Sequence, residues 1–297
     1  MAERSDLGLA GLVFAKGHGT ENDFVLYSDP DGGTPLTGAM AAALADRRAG
    51  VGADGVIRAV RTAAAGPVGD FPGEAEWFMD YRNADGSPAE MCGNGLRVYA
   101  EYLRQEGLID LAPGGSAVIA TRGGARRVRW EPPLYTVDMG PWAFPGGPAA
   151  LELGGDVVVE APGLGRRRGL RVEAPNPHAV VLVAAGELAG IDLASPPRIE
   201  PVPDAGANVE FMAGGSGALA MRVHERGSGE TRSCGTGAVA AAAAARALID
   251  PGQARWDVEV PGGVLAVTLT GATARLTGPA VLVASGRLLR GRGLSWA

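Results

Sequence analysis

The chain has 297 residues, 46% of them apolar, and a formal net charge of −6 at pH 7. These values indicate a globular protein with one large domain or two ordinary ones, and the lack of a Gly-X-Y period excludes a collagen-like chain. The acidic balance argues against a nucleic-acid partner, because no Lys/Arg stripe is present to neutralise phosphates. No stretch approaches the roughly 18 apolar residues of a membrane span and no secretory signal opens the chain, so we expect a cytoplasmic protein with no membrane partner.

The first half of the chain is predicted to form short strands interrupted by two helices. The turn KGHGTEND separates the first two strands, and TAAAGPVGDFPGE lacks periodicity, which indicates a surface loop. The second helix begins at a Cys-Gly-x-Gly motif, and Gly107 suits the position just past its end. The predicted helices are Leu36–Arg48 and about Gly93–Glu106, and the predicted strands are 11–15, 24–27, the segment after Gly55, EWFMDYR, 116–121, 125–131 and 135–139.

The second half begins after PWAFPGGP, a break in composition that is the best candidate for a domain boundary. A Pro-rich connection, SPPRIEPVPD, interrupts the strands, and a second Cys-Gly-x-Gly opens a helix that Pro251-Gly252 ends. The predicted helix is about Gly235–Ile249, and the predicted strands are 156–160, 168–173, 179–184, 207–212, 217–224, 256–260, 264–270, 274–277 and 280–284.

Each half therefore runs through strands, a Cys-Gly-x-Gly motif, a helix and further strands. Cys92 and Cys234 are the only cysteines, and they lie about half a chain length apart, which is typical of a duplicated unit. The second helix, AVAAAAAARAL, has almost no polar face, so we expect it to be buried on all sides. The sequence thus predicts an α+β fold of two pseudo-repeated halves, each a curled, mostly antiparallel sheet wrapped around a central helix.

A Cys-Gly-x-Gly motif at a helix start combines two chemical features. The first turn of a helix has backbone N–H groups without intrahelical partners and carries partial positive charge, so an anion binds there readily. The same environment favours a thiolate and lowers the pKa of a cysteine from its ordinary value of about 8.5. Each motif is therefore predicted to place an activated sulfur beside an anion site.

Other interpretations of the two motifs stay open at this point. Both cysteines could be buried packing residues, although two matching copies argue against this. A phosphate-binding loop has a different glycine spacing, and a zinc site using His18, His178 or His224 lacks a Cys-x-x-Cys pair, so no metal or other cofactor is expected. A disulfide fits the count of two cysteines, but we expect it only as an oxidised, inactive form.

The interpretation that uses both motifs together is a pair of opposed acid–base catalysts. If the two halves face each other, both helix starts would clasp one carboxylate and the two sulfurs would flank the adjacent carbon. One thiolate would remove a proton from one face and the other thiol would return a proton to the opposite face, which inverts a stereocentre without a cofactor. Such thiols must be in opposite protonation states and titrate as a coupled pair.

Six sequence blocks along nearly the whole chain carry a family resemblance. They are FAKGHGTENDFVL, RRAGVGADGVI, YRNADGSPAEMCGNGLR, PNPHAVV, ANVEF and HERGSGETRSCGTGA, in this order. With these blocks the chain resembles the diaminopimelate epimerases, PLP-independent enzymes that interconvert LL- and meso-diaminopimelate in bacterial lysine and peptidoglycan synthesis. The resemblance implies two similar halves with the site between them, a small-molecule substrate, no cofactor and a homodimer.

The resemblance also implies a set of site residues. Cys92 and Cys234 would be the two bases, and His178 and Glu225 match positions that adjust the pKa values of the thiols. Backbone N–H groups at the two helix starts would hold the α-carboxylate of the substrate, and these belong to Gly93, Asn94, Gly235 and Thr236. The residues implied to bind the amine and the distal end of the substrate are Asn22, Asn83, Asn176, Asn208, Glu225 and Arg226.

In the fold of the resembled family, the last strand returns to the first half. We therefore expect the first domain to cover residues 1–139 together with a strand from about 282–297, and the second domain to cover 140–281. Two positions depart from the family pattern. Gly55 stands where many relatives have Gln, so no side-chain contact is expected there, and Glu21 replaces a common Gly in the turn before Asn22.

Two other functions also fit parts of the sequence, namely a proline or hydroxyproline racemase and a non-enzymatic binding module. Proline and hydroxyproline racemases typically have a His after the first Cys-Gly, where this chain has Asn94. A non-enzymatic module would instead bind an anion at the glycine loops and use the thiols as a redox switch. Only an enzyme would exchange the substrate α-hydrogen with solvent.

Overall fold

The computed structural model describes residues 9–204 and 206–289. Within these ranges the chain forms 18 strands and five α-helices. The helices are α1 (Gly38–Ala45), α2 (Gly93–Gln105), α3 (Gly147–Glu152), α4 (Ala185–Leu188) and α5 (Gly235–Leu248). The strands are β1 (Val13–Gly19), β2 (Asn22–Ser28), β3 (Gly55–Arg61), β4 (Trp77–Asn83), β5 (Ser116–Ala120), β6 (Arg126–Glu131), β7 (Leu134–Pro141), β8 (Val157–Ala161), β9 (Gly165–Glu173), β10 (Pro177–Leu182), β11 (Arg198–Glu200), β12 (Asn208–Gly215), β13 (Ala218–Glu225), β14 (Gly229–Thr231), β15 (Arg255–Val260), β16 (Gly263–Thr270), β17 (Thr273–Pro279) and β18 (Val281–Arg287).

The described residues divide into two compact units. Unit 1 contains the residues up to Gly19, then Asp23–Tyr135, and the residues from Pro279 onward. Unit 2 contains Thr20–Asn22 and Thr136–Gly278. The strand expected at about 282–297 is described only as β18, because residues 290–297 lie outside the described residues.

The sheet of unit 1 is built around helix α2. Strand β18 pairs antiparallel with β1, β1 pairs with β2, and β2 runs parallel to β3. Strand β3 is antiparallel to β4, β4 is parallel to β5, and β5 is antiparallel to β6. Helix α2 packs against β1, β3, β6 and β18, so it lies against both the start and the end of this strand series.

The sheet of unit 2 follows the same plan around helix α5. Strand β8 is antiparallel to β9, β9 is antiparallel to β10, and β10 is parallel to β12. Strand β12 is antiparallel to β13, β13 is parallel to β15, and β15, β16 and β17 continue as antiparallel neighbours. Helix α5 packs against β9, β10, β12, β13, β15 and β16.

The connections of one unit repeat those of the other, strand by strand. The series β2, β3, β4, α2, β5, β6 corresponds to β10, β12, β13, α5, β15, β16, and the parallel pairs fall at the same two places. In both series the helix that follows the cysteine, α2 or α5, connects one strand to its parallel neighbour. The predicted fold of two pseudo-repeated halves, each wrapped around a central helix, is therefore confirmed.

The two central helices become buried through different side chains. In α5 every residue from Gly235 to Ala245 is buried, and the run of alanines lets the surrounding strands approach the helix backbone closely. In α2 the residues from Gly93 to Leu103 are buried although several are large, including Tyr99. The burial predicted for the second helix is thus observed up to Ala245, while its last turn, from Arg246 to Leu248, is only half-buried; α2 is likewise buried except in its last turn.

Four short elements were not predicted from the sequence, namely α3, α4, β11 and β14. Strand β11 lies within the Pro-rich connection and exists because it pairs with β8, and β14 exists because it pairs with β13. Helix α1 is shorter than the predicted Leu36–Arg48, since it begins after Thr37, whose side chain accepts a hydrogen bond from the Met40 N–H at 3.2 Å. Elements this short depend on their neighbours and have no periodicity of their own.

Because α5 is closely packed, we expect a larger side chain in it to destabilise the protein. Ala242 is fully buried, so Ala242→Leu inserts three carbon atoms where the strands already touch the helix. We expect the free energy of unfolding to fall by about 1–3 kcal/mol, measured by urea denaturation. The matched control is Ala39→Leu on the exposed side of α1, with an expected change within about 0.5 kcal/mol. Equal changes in the two variants would contradict the packing described for α5.

Candidate active site

Cys92 is the N-cap residue of α2. Its backbone is extended, with φ −140° and ψ 119°, and its sulfur accepts a hydrogen bond from the Gly95 N–H at 3.3 Å. An oxygen usually makes this contact at a helix start, so here a thiol takes the place of the common capping side chain. Cys92 is half-buried, whereas Gly93 and Asn94, which follow it, are buried.

Cys234 caps α5 in nearly the same conformation. Its φ is −125° and its ψ is 116°, and its sulfur accepts a hydrogen bond from the Gly237 N–H at 3.4 Å. The hydroxyl of Thr236 lies 3.5 Å from the same sulfur. The repeated motif therefore places each sulfur at the same position on its own helix, although Cys234 is more deeply buried than Cys92.

The protonation of Cys234 is governed by its surroundings more than by the helix start. Burial raises the pKa of the Cys234 thiol well above its ordinary value, and the carboxyl groups of Glu225 and Glu210 raise it further. Hydrogen bonds from Thr236 and the Gly237 N–H act in the opposite direction without outweighing them. The lowered pKa predicted from the helix start is thus wrong for this cysteine.

Glu225 ends β13 and is one of the acids beside Cys234. The hydroxyl of Thr231 donates a hydrogen bond to its Oε1 atom. Burial raises the pKa of the Glu225 carboxyl, and hydrogen bonds from Thr231 and Cys234 lower it in part. Because the thiol and the carboxyl touch, the charge of either group changes the pKa of the other.

His178 lies at the start of β10 with both ring nitrogens engaged. Its Nδ1 atom is 2.7 Å from Oε1 of Glu210, and its Nε2 atom is 3.1 Å from Oδ1 of Asn176. The side chains of His178 and Glu210 are both 0% exposed. A buried chain of contacts thus runs from Asn176 through His178 to Glu210.

Asn208 and Arg226 are joined at one end of the sheet of unit 2. Asn208 begins β12 directly opposite His178 in the parallel pairing with β10. Its Oδ1 atom accepts a hydrogen bond from the backbone N–H of Arg226 at 2.9 Å, while the Arg226 side chain is exposed. The bond fixes the Asn208 amide relative to the turn that follows Glu225.

The turn before Asn22 belongs to unit 2, together with the residues just before Cys234. The Thr20 and Ser233 hydroxyl oxygens lie 2.6 Å apart, and Glu21 forms an ion pair with Arg232. Thr20 and Glu21 have φ values of 51° and 61°, the left-handed region that favours glycine. Glu21 therefore keeps a glycine-like backbone conformation in this turn.

Asn83 ends β4 opposite Gly55 in unit 1. The Tyr81 hydroxyl donates to its Oδ1 atom at 3.0 Å, and its Nδ2 atom donates to the Ser87 hydroxyl at 3.0 Å. A β-carbon added at Gly55 would lie 2.4 Å from the ring of Tyr81, so this structure has no room for a larger side chain at this position.

Two charged residues beside the cysteines were missed by the sequence analysis. Arg97 of α2 is fully buried, and its Nε atom donates to the carbonyl of Pro279 at 3.2 Å. Burial lowers the pKa of its guanidinium to about 10, opposed by its electrostatic attraction to the Cys92 sulfur, so the group stays charged at neutral pH. Glu210 of β12 is the other. Arg97 lies in a predicted central helix and Glu210 in the predicted strand 207–212, and an ionisable residue within such an element was the available signal.

The predicted site residues thus fall into two groups, one in each unit. The group of unit 1 consists of Asn83, Cys92, Gly93 and Asn94, and the group of unit 2 consists of Asn22, Asn176, His178, Asn208, Glu225, Arg226, Cys234, Gly235 and Thr236.

Each group combines a cysteine with carboxyl, amide or imidazole side chains. Neither Cys92 nor Cys234 is in a disulfide. Among residues 9–204 and 206–289, no cluster of three or more His, Cys, Asp or Glu residues is arranged to hold a metal ion. In the same part of the chain, no helix has the length and apolar character needed to cross a membrane.

Solved structures share this fold at low sequence identity. A phenazine biosynthesis protein of the PhzF family from Bacillus anthracis has a TM-score of 0.68 at 16% identity, covering 94% of this chain and 99% of that one. A probable proline racemase from Agrobacterium radiobacter K84 has a TM-score of 0.64 at 15% identity, covering 96% of this chain and 94% of that one. The chain therefore belongs to the structural class that these proteins share.

Sequence similarity defines the family within this class. The family model described as diaminopimelate epimerase matches residues 14–145 and 171–283. The diaminopimelate epimerase of Thermobifida fusca is 53% identical, with 93% of this chain and 97% of that protein covered, and that of Streptomyces coelicolor is 48% identical, with 93% and 94% covered. The chain belongs to the diaminopimelate epimerase family and is an isomerase.

The glycines three residues after the cysteines differ in the space beside them, which gives a second stability prediction. A β-carbon at Gly95 would make ordinary contacts of 3.4–3.5 Å, whereas one at Gly237 would lie 2.7 Å from Oε1 of Glu210. We expect Gly237→Ala to lower the free energy of unfolding by about 1–3 kcal/mol, because Glu210 is fully buried and held by His178.

Gly95→Ala is the matched control for this prediction. It should be neutral or slightly stabilising, since Ala favours a helix over Gly by about 1 kcal/mol. Thermal unfolding of both variants measures the difference. If Gly95→Ala were the more damaging change, the contrast drawn between the two helix starts would be wrong.

Proposed function

We propose that the chain interconverts LL- and meso-diaminopimelate by proton transfer at the α-carbon, with Cys92 and Cys234 as the two bases and without PLP. One observation carries the proposal: both cysteines cap a central helix at corresponding positions of a repeated unit. Each sulfur accepts a hydrogen bond from the backbone N–H three residues further along the chain. Family membership identifies the substrate class.

The mechanism follows from the acidity of the bond that must break. The α-hydrogen of an amino acid is a poor acid, so the developing carbanion needs a site that is already arranged to stabilise negative charge. The N–H groups of Gly93, Asn94, Gly235 and Thr236 are proposed to hold the α-carboxylate for this purpose. One cysteine, as thiolate, removes the proton, and the other, as thiol, supplies a proton to the opposite face.

The side chains of the two groups are proposed to recognise the rest of the substrate. A zwitterionic amino acid needs neutral amides and few charges around it, because unpaired charges in a closed site are costly. His178 and Glu225 are proposed to adjust the thiol pKa values. The residues assigned to the substrate amine and its distal end are Asn22, Asn83, Asn176, Asn208, Glu225 and Arg226.

The two-base mechanism also specifies the working assembly. The halves 1–139 with 282–297 and 140–281 are proposed to act as two domains that bring both sulfurs to one carbon. Because the thiols must stay reduced, we expect the enzyme to work in the cytoplasm. We propose a homodimer, following the family resemblance, and light scattering coupled to size-exclusion chromatography tests this.

Solvent exchange tests the proposed function directly. In D2O, LL-diaminopimelate should become the meso isomer and acquire deuterium at its α-carbon, as followed by NMR and chiral chromatography. Proline, the control substrate, should not exchange. Addition of PLP or of a metal chelator should leave the rate unchanged. Exchange with proline alone would favour the racemase, and exchange with neither substrate would favour a binding module.

Substitution of either cysteine should stop turnover because both faces of the carbon need a base. We expect Cys92→Ser and Cys234→Ser each to lower kcat for epimerisation by about 100- to 10,000-fold. Each variant should keep the thermal unfolding midpoint of the parent, which separates lost chemistry from lost folding. Full epimerisation by either variant would end the two-base proposal.

Mild oxidation should inactivate the enzyme by joining the two thiols. Peptide mapping by mass spectrometry should find one bond between Cys92 and Cys234, and dithiothreitol should restore activity. Cys92→Ser is the control, since it cannot form this bond. An inactive product that dithiothreitol does not rescue would contradict the proposal that both sulfurs reach one carbon.

A further inference from the structure

The repeat identifies which residues occupy equivalent places in the two units. Phe24 faces Gly55 at the start of the parallel pair β2 and β3, and His178 faces Asn208 at the start of the parallel pair β10 and β12. Phe24 and His178 are therefore equivalent. Two residues further along β3 and β12 stand Ile57 and Glu210, which form the second equivalent pair.

The space beside the two helix starts supports the equivalence of Ile57 and Glu210 independently of the strand register. A β-carbon at Gly95 would lie 3.5 Å from Ile57 and 3.5 Å from Phe24. A β-carbon at Gly237 would meet Glu210. The apolar pair Phe24 and Ile57 thus stands beside the helix start that carries Cys92. At the same place beside the helix start that carries Cys234 stands Glu210, which contacts His178.

The ionisable pair of unit 2 is held by direct contacts. Both ring nitrogens of His178 lie within hydrogen-bond distance of oxygen atoms, Oε1 of Glu210 at 2.7 Å and Oδ1 of Asn176 at 3.1 Å. Among the described residues, the other oxygen of Glu210, Oε2, is buried without a hydrogen-bond partner. One carboxyl oxygen of Glu210 is therefore held by His178, and within the described residues the other has no hydrogen bond.

We propose that Glu210 is a positioning residue that keeps Cys234 as the thiol partner of the cysteine pair, acting through its charge and its hold on His178. The inference rests on the two-thiol function proposed above, which requires one thiolate and one thiol. Glu210 thereby makes two geometrically equivalent cysteines chemically unequal. In unit 1, the helix that Cys92 caps contains the buried cation Arg97.

The groups that act on Cys234 within unit 2 set the sign of the expected effect. Glu225 and Glu210 both oppose a thiolate at Cys234, while Thr236 and the Gly237 N–H favour it. His178 acts on the neighbouring acid Glu225, whose pKa it lowers, while Glu210 raises the pKa of the same carboxyl group. Removal of the Glu210 charge should therefore make the thiolate of Cys234 easier to form, and its titration should move to lower pH.

The test follows the Cys234 thiol alone, without any substrate. In a Cys92→Ser background with cysteine labelled at the β-carbon, the 13C chemical shift reports thiolate formation as the pH rises. The parent should titrate above the ordinary thiol pKa of about 8.5, and Glu210→Gln should move this titration down by about one pH unit, a roughly tenfold change in the ionisation constant. Glu259→Gln, at an exposed position of β15, is the control and should leave the titration unmoved.

A second variant covers the case in which Glu210→Gln fails to fold. The double change His178→Phe with Glu210→Ile copies the apolar pair that unit 1 packs at the equivalent place. It should also shift the Cys234 titration to lower pH. An unchanged titration in either folded variant overturns the role of Glu210, and so does a parent thiol that titrates at or below the ordinary value.

The failure of this inference can be told apart from failure of the proposed function. The titration needs no diaminopimelate, so a chain that does not epimerise this substrate can still show the predicted shift. Conversely, normal epimerisation with an unmoved Cys234 titration removes only the role of Glu210. In an active enzyme, Glu210→Gln should shift the pH dependence of kcat while changing KM little, which a purely structural role would not do.

Discussion

The structure depends on how a helix that begins inside a sheet satisfies its first backbone N–H groups. Helices α2 and α5 are enclosed by strands of their own units, and buried N–H groups without partners are costly. A cysteine at each N-cap satisfies the N–H three residues on, and the remaining N–H groups of the first turn suit an anionic ligand. The same constraint explains the glycines after each cysteine, because a ligand or a neighbouring side chain must come close to this backbone.

Duplication supplies this geometry twice, but the chemistry around the two copies has diverged. Cys92 shares its helix with a buried guanidinium, whereas Cys234 is buried beside two carboxyl groups. Inversion of a stereocentre by two bases requires one thiolate and one thiol at the moment of reaction, because two thiolates could not return a proton and two thiols could not remove one. The unequal surroundings of the two cysteines influence which sulfur holds that proton before the substrate binds. The differences between the units are therefore as informative as their similarities.

The repeat, the two central helices and both cysteines could be predicted because each leaves a local pattern: a recurring motif, a run of small apolar residues, or a glycine spacing. The raised pKa of Cys234 could not be predicted, since it depends on burial of the thiol and on Glu225 and Glu210, which come together with the thiol only in the folded sheet. The membership of Thr20–Asn22 in unit 2 has the same cause, because their partners Arg232 and Ser233 lie far along the sequence. Short elements such as β11 form only through pairing with a distant strand.

The apolar pair of unit 1 bears on why unit 2 keeps a buried His178 and Glu210. Phe24 and Ile57 show that this fold packs well at the equivalent place without any charge, since both are fully buried. An ion pair removed from water costs several kcal/mol per ion unless its geometry and further hydrogen bonds compensate, and one oxygen of Glu210 has no such bond within the described residues. Stability alone would therefore favour the apolar pair in both units. An ionisable pair is present at only one of the two equivalent places, and there Glu210 raises the pKa of the Cys234 thiol; its effect on that cysteine best explains its presence.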